Sequence, residues 1–167
     1  MKSKIHTVLC CALLLAISAS AAAEDATFEI TVMTPDTAVK VAQAALADCR
    51  SKGFQVAVVV VDRMGVPQAM IRDRYAGPHT PDTAFRKAWT AVSFRESTLL
   101  MSENTGAGSP QAGVRHVTNA LMLGGGVPIE AGGSIVGGVG VSGAPGGDED
   151  DVCGRAGIEA VMADLEF

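Results

Sequence analysis

Aromatic residues are scarce in this 167-residue chain, which holds five Phe, one Tyr and one Trp. Its core must therefore be built from closely packed Val, Ala, Leu and Met. Histidine is scarcer still: beyond residue 23 only His79 and His116 occur. With no H-E-x-x-H motif and no paired C-x-x-C, a zinc enzyme has no ligand set to stand on. The chain also lacks a cluster of Lys and Arg that would track a phosphate backbone, and its formal net charge is −5, which argues against nucleic acid as a partner. Beyond residue 23 no apolar run is long enough to cross a bilayer, so no stable membrane anchor is expected.

What is present begins with an export pattern. Lys2 and Lys4 precede an apolar run from Val8 to Ile17, which gives way to Ser18-Ala19-Ser20-Ala21-Ala22-Ala23. Residues 1–23 are therefore read as a signal peptide cut after Ala23, with residues 24–167 as the mature domain in the periplasm or outside the cell. The mature chain of 144 residues carries a net charge of −7, and that length suits one domain. Cys49 and Cys153 remain in it. In an oxidising compartment they are either a disulfide or two separately buried small hydrophobes.

Thr34-Pro35-Asp36 reads as an N-cap with proline in the first helical turn. In the helix that follows, Ala38, Val41, Ala42, Ala45, Leu46 and Cys49 recur at helical spacing, and Gly53 stops it. The run from Val56 to Val61 is continuously apolar, as a strand covered on both faces should be. Asp62-Arg63-Met64-Gly65 then turns the chain into Val66 to Arg72 as a hairpin. After a Gly- and Pro-rich loop bearing His79, a helix is expected from Asp82 to Arg95 with Phe85, Ala88, Trp89, Val92 and Ser93 inward. Leu121 to Leu123, Val127 to Ile129 and Ile135 to Val141 read as short strands. A last helix opens at Asp148-Glu149-Asp150-Asp151, with Val152, Ala156, Ala160 and Ala163 inward.

Two motifs lose to plainer readings. Gly138-Val139-Gly140-Val141-Ser142-Gly143 matches the dinucleotide fingerprint in letters, but its glycines fall inside a strand and too little chain follows for a nucleotide-binding fold. They read instead as positions that let a helix or neighbouring subunit come close. The four acids at 148–151 read as a solvated cap at the positive end of a helix rather than a cation site.

Phe85-Arg86-Lys87-Ala88-Trp89-Thr90-Ala91, Gly124-Gly125-Gly126-Val127-Pro128-Ile129, Val136 to Gly143 and Asp148 to Asp151 occur in that order, and with this spacing the chain resembles the GlcG/HbpS-like haem-binding (haem-degrading domain) family over about residues 33–164. The resemblance implies an α/β (α+β) single domain with a five-stranded antiparallel sheet flanked by helices, assembly into homo-oligomers, and haem as a cofactor in some members. Gly77 to Pro81 and Asn104 to Pro110 look like insertions relative to many relatives.

Haem chemistry selects the candidate residues. An imidazole is the commonest axial donor to iron, and propionates want Arg or Lys. His79 and His116 are therefore the candidate iron ligands, with Tyr75, Met70 and Met101 in reserve and Arg86 and Arg72 facing propionates. Lys87 and Thr90 are carried by the resemblance alone. The expected function is exported haem or tetrapyrrole binding, in sensing, storage or handling, without catalysis. The alternatives are an accessory homo-oligomer and an enzyme acting on haem or a small carboxylic acid.

Overall fold

The computed structural model describes residues 26–165; the expected signal peptide lies outside the described residues. The chain divides into a short N-terminal unit, Met1–Ile30, and a body, Thr31–Phe167. In the body, helix α1 (Pro35–Ser51) opens on Thr34, whose side chain accepts from the Thr37 amide. All six residues expected on its inner face are buried. Strands β1 (Ala57–Asp62) and β2 (Pro67–Arg72) form the expected hairpin. Helix α2 (Thr80–Phe94) starts two residues early, because both the amide and the hydroxyl of Thr80 bond to the Gly77 carbonyl and begin the first turn there. Then come α3 (Thr98–Asn104), a 3₁₀ turn (Ala112–His116), β3 (Gly126–Ala131), β4 (Ser134–Ser142), α4 (Gly147–Glu159) and the short α5 (Met162–Leu165).

Among the described residues the sheet has four antiparallel strands in the order β2-β1-β4-β3, not five. Residues 121–123 do not form a strand, because their main chain is committed to helix side chains instead. The Leu121 amide donates to Thr90 Oγ1 at 2.9 Å and the Leu123 carbonyl accepts from the Thr98 hydroxyl at 2.7 Å.

β1 is covered on both faces. Val58 and Val60 join Val127, Val139 and Val141 under α1 and α4, while Ala57, Val59 and Val61 meet Ala84, Ala88 and Val92 of α2. Each fully buried valine contributes on the order of 1.5–3 kcal/mol. The strand glycines set how close α2 can lie. A Cβ on Gly140 would sit 1.9 Å from the Ala84 carbonyl oxygen, and one on Gly138 would sit 2.6 Å from Val92. The inner face of α2 differs in detail from the expectation: Ala84, Ala88 and Ala91 are buried, Phe85 and Trp89 are half-buried, and Ser93 is exposed. Backbone-to-backbone contact over β4 favours small side chains beneath the helix, with Lys87 the large exception.

The same effect rotates α4. Val152 and Ala160 are exposed, and the buried stripe is Asp150, Cys153, Gly154 and Gly157. Gly157 packs against Val41 and Ala45 of α1, where a Cβ would come within 2.7 Å of the Val41 carbonyl oxygen. Cys49 of α1 and Cys153 of α4 are joined at an S–S distance of 2.10 Å.

Candidate ligand-binding cleft

At the Ser142 end of β4 the structure opens a cleft of about 610 Å³. Its walls are the loop from Asp73 to His79, the N-terminal turns of α2 and α4, and the loop from Ser142 to Gly147. The His79 loop is tied down at several points. The Asp73 amide donates to the Val56 carbonyl at 2.9 Å, and the Asp73 carboxylate accepts from Arg50 Nε at 2.9 Å. The Arg72 guanidinium donates to the Ala76 carbonyl, and the Thr83 hydroxyl and amide both donate to the His79 carbonyl. His79 is therefore an exposed side chain on a fixed backbone. Its ring lies against Gly77 and makes no hydrogen bond among the described residues. Tyr75, 79% exposed, stands on the same lip, and Phe54, Leu123 and Pro145 supply apolar wall.

The floor is a buried ion pair. Lys87 Nζ donates to Asp150 Oδ2 at 2.7 Å and to the Val141 carbonyl at 2.8 Å, and Asp150 Oδ1 accepts from the Ala144 amide at 3.0 Å. Both residues are nearly inaccessible, at 1% and 3% exposure. Burial pushes the Lys87 ammonium below its ordinary pKa and the Asp150 carboxyl above its own, against the pull of each on the other. Of the acids at 148–151, Asp148 is exposed and Glu149 half-buried as a solvated cap would be, but Asp150 is not. Asp151 is buried as well and pairs with Arg155 at 2.6 Å. Helix geometry explains the difference: the first turn of α4 lies over β4, so one of its faces points at the Lys87 ammonium. The sequence marked the run Asp148 to Asp151 but not which of the four acids turns inward. The one available signal was a lone lysine in an otherwise small-residue stripe of α2.

The other candidate residues lie elsewhere or are already engaged. His116 is exposed at the end of the 3₁₀ turn and does not line the cleft. Thr90 donates to the Arg86 carbonyl at 2.7 Å while accepting from the Leu121 amide, and Arg86 donates to the Ala120 carbonyl at 3.0 Å. Both fasten the segment after the 3₁₀ turn to α2. Met70 is exposed on the edge strand β2, and Met101 is buried with Ala120 and Met122.

A family model described as haem degrading protein HbpS-like matches residues 33–159. The chain is 32% identical over 118 residues to an uncharacterized 15.0 kDa protein of the dhaT-dhaS intergenic region of Citrobacter freundii, covering 69% of this chain and 82% of that protein. A double mutant of HbpS from Streptomyces reticuli is 37% identical in sequence and superposes with a TM-score of 0.77, over 86% of this chain and 97% of that one. The structure of a PduOC:haem complex is 25% identical with a TM-score of 0.73, over 78% of this chain and 95% of that one.

Proposed function

The chain belongs to the HbpS-like family of haem-degrading proteins, and from that premise and the geometry of the cleft we propose that it binds haem, with His79 as the axial donor. The observation that carries this reading is the His79 imidazole, held without a hydrogen-bond partner among the described residues at the lip of a cleft of about 610 Å³. That volume is within the range of small-molecule and cofactor sites, roughly 300–1,000 Å³. Phe54, Leu123 and Pro145 would meet the macrocycle, and Tyr75 would border it. The cleft's lysine is already bonded to Asp150 and Val141, so the propionates would remain in solvent. Haem, when bound, would supply a redox-active iron, and the His79 imidazole would hold it. Handling, storage or sensing of haem outside the cytoplasm fits the N-terminal pattern of Lys2, Lys4 and the run from Val8 to Ile17. The outermost strands β2 and β3 support assembly into a homo-oligomer.

The test is a haemin titration of the purified mature protein, followed by absorbance, beside His79→Ala and His116→Ala. A saturable Soret shift is expected in the wild type and in His116→Ala, and loss of that shift in His79→Ala. A shift that survives His79→Ala unchanged would refute His79 as the donor, and no saturable shift in the wild type would refute haem binding.

A further inference from the structure

A second cleft, of about 600 Å³, lies at the opposite end of the sheet, between the β1–β2 turn, the last turn of α2 and the β3–β4 turn. Arg63 and Arg95 line it, with Ser93, Ser134, Glu130 and Met64. We propose that this cleft binds a small organic molecule carrying two carboxylates, one on each guanidinium.

Four observations converge on that ligand. First, neither arginine has a hydrogen-bond or ion-pair partner among the described residues; Arg50, Arg72, Arg86, Arg115 and Arg155 all do, and Arg74, the other arginine without one, is exposed on the loop before His79 and lines neither cleft. Second, Arg63 is half-buried, and the acid beside it is already spent. Asp62 accepts from the amides of Met64 at 2.8 Å and Val66 at 3.0 Å and from Gln68 Nε2 at 3.1 Å. Those bonds fix the turn and leave Arg63 presented from a rigid support.

Third, Arg95 caps α2 in the left-handed conformation, φ 58 and ψ 37, with its amide and that of Glu96 both bonded to the Ala91 carbonyl. Glycine is the usual residue there because a side chain carries a backbone cost in that conformation. A basic side chain that served only the negative end of the helix would do so from the last turn without that cost, and the last turn of α2 holds none. Fourth, the hydroxyls of Ser93 and Ser134 have no partner among the described residues, which adds two donors beside the two guanidiniums.

A planar guanidinium fork matches a carboxylate in bidentate fashion. Because the two forks come from separate elements, they suit two carboxylates on one short carbon chain better than a single compact anion. Glu130, also on the wall, repels any anion, so binding there requires both guanidiniums together. The site is separate from the His79 cleft and does not depend on the haem reading.

Isothermal titration of the mature protein with succinate at low ionic strength tests the assignment, with acetate and inorganic phosphate as comparison anions. Saturable one-to-one binding of succinate is expected, with acetate and phosphate much weaker. Loss of either fork in Arg63→Gln or Arg95→Gln should weaken binding by about tenfold or more. Arg95→Gly should weaken it equally while removing the backbone cost, which separates loss of binding from loss of folding. His79→Ala should leave succinate affinity unchanged. The assignment is overturned by absent succinate binding, by variants that bind as the wild type does, or by phosphate binding as well as succinate. It is also overturned if haemin displaces succinate and the arginine variants lose haemin, which would make the paired carboxylates those of the haem itself.

Discussion

Lys87 and Asp150 carry the strongest energetic statement a single pair of residues makes in this molecule. Their charges attract, yet burial shifts both pKa values against ionisation. The pair is thus held together by geometry rather than by a surplus of Coulomb energy. Removing one partner leaves the other charge buried alone, which costs about 3–5 kcal/mol, whereas replacing both with apolar groups is often close to neutral. Lys87→Met and Asp150→Leu should each lower stability in chemical denaturation by about 3–5 kcal/mol, and the double variant should recover most of the loss. Additive losses would show that the two residues do not act as a pair. The sign with pH follows from Asp150, whose folded-state pKa is raised above its ordinary value of 3.8. The folded state then binds more protons, so this group's contribution weakens as pH rises from about 4 through the raised value. Without Lys87 that dependence should steepen, and Lys87→Met should regain stability on acidification as Asp150 takes up a proton. A Lys87→Met variant equally unstable at pH 5 and pH 8 would contradict this. Neither partner's role could be read from sequence, because they are 63 positions apart and only the lie of α4 over β4 brings them together.

At the scale of elements, helices and strands were legible where one periodicity ruled. α1 and the β1–β2 hairpin follow their apolar patterns, because the buried positions are valine, leucine or alanine recurring at the period of the element itself. α2 and α4 follow a different rule, in which the buried apolar positions are mostly small, Lys87 and Asp150 are the buried exceptions, and the larger apolar side chains lie to the side. This is why Val152 is exposed and Gly157 buried. Residues 121–123 misled for a related reason: three apolar residues in a row carry no information about whether ladder partners or side chains will take their main-chain bonds. The glycines of β4 were legible as places of close approach, and the distances make that quantitative. Gly140→Ala would force a methyl to within 1.9 Å of the Ala84 carbonyl oxygen. Backbone cannot yield there as a flexible side chain would, so the cost should reach or exceed the upper end of the usual overpacking range, about 3 kcal/mol. Gly133→Ala, at a turn where a Cβ meets nothing within 4 Å, should cost only the strain of its positive φ, roughly 1 kcal/mol. Thermal unfolding of the two variants checks the contrast, and equal losses would show that α2 does not lie on β4 as closely as described.

For the whole molecule, the covalent tie between Cys49 and Cys153 joins the first helix of the body to the helix that floors the candidate cleft. Its ends are 104 positions apart in sequence, so it closes a loop spanning most of the domain. In the chain-entropy account, such a cross-link removes enough freedom from the unfolded state to stabilise the fold by about 4–5 kcal/mol. The sequence left the two cysteines open between a bridge and two buried thiols, since nothing local reveals that α1 and α4 lie side by side. Reductant should therefore lower the melting temperature of the mature protein by about 10 °C or more. Cys49→Ala/Cys153→Ala should melt at that lower temperature whether or not reductant is present. Because α4 also carries Asp150, loosening it should reach the His79 cleft through the Lys87 pair before it reaches the Arg63 and Arg95 cleft at the far end of the sheet. Haemin affinity should thus fall on reduction under conditions where succinate affinity holds. Two titratable thiols in the unfolded, unreduced mature protein, with no effect of reductant on melting, would remove both the cross-link and this coupling.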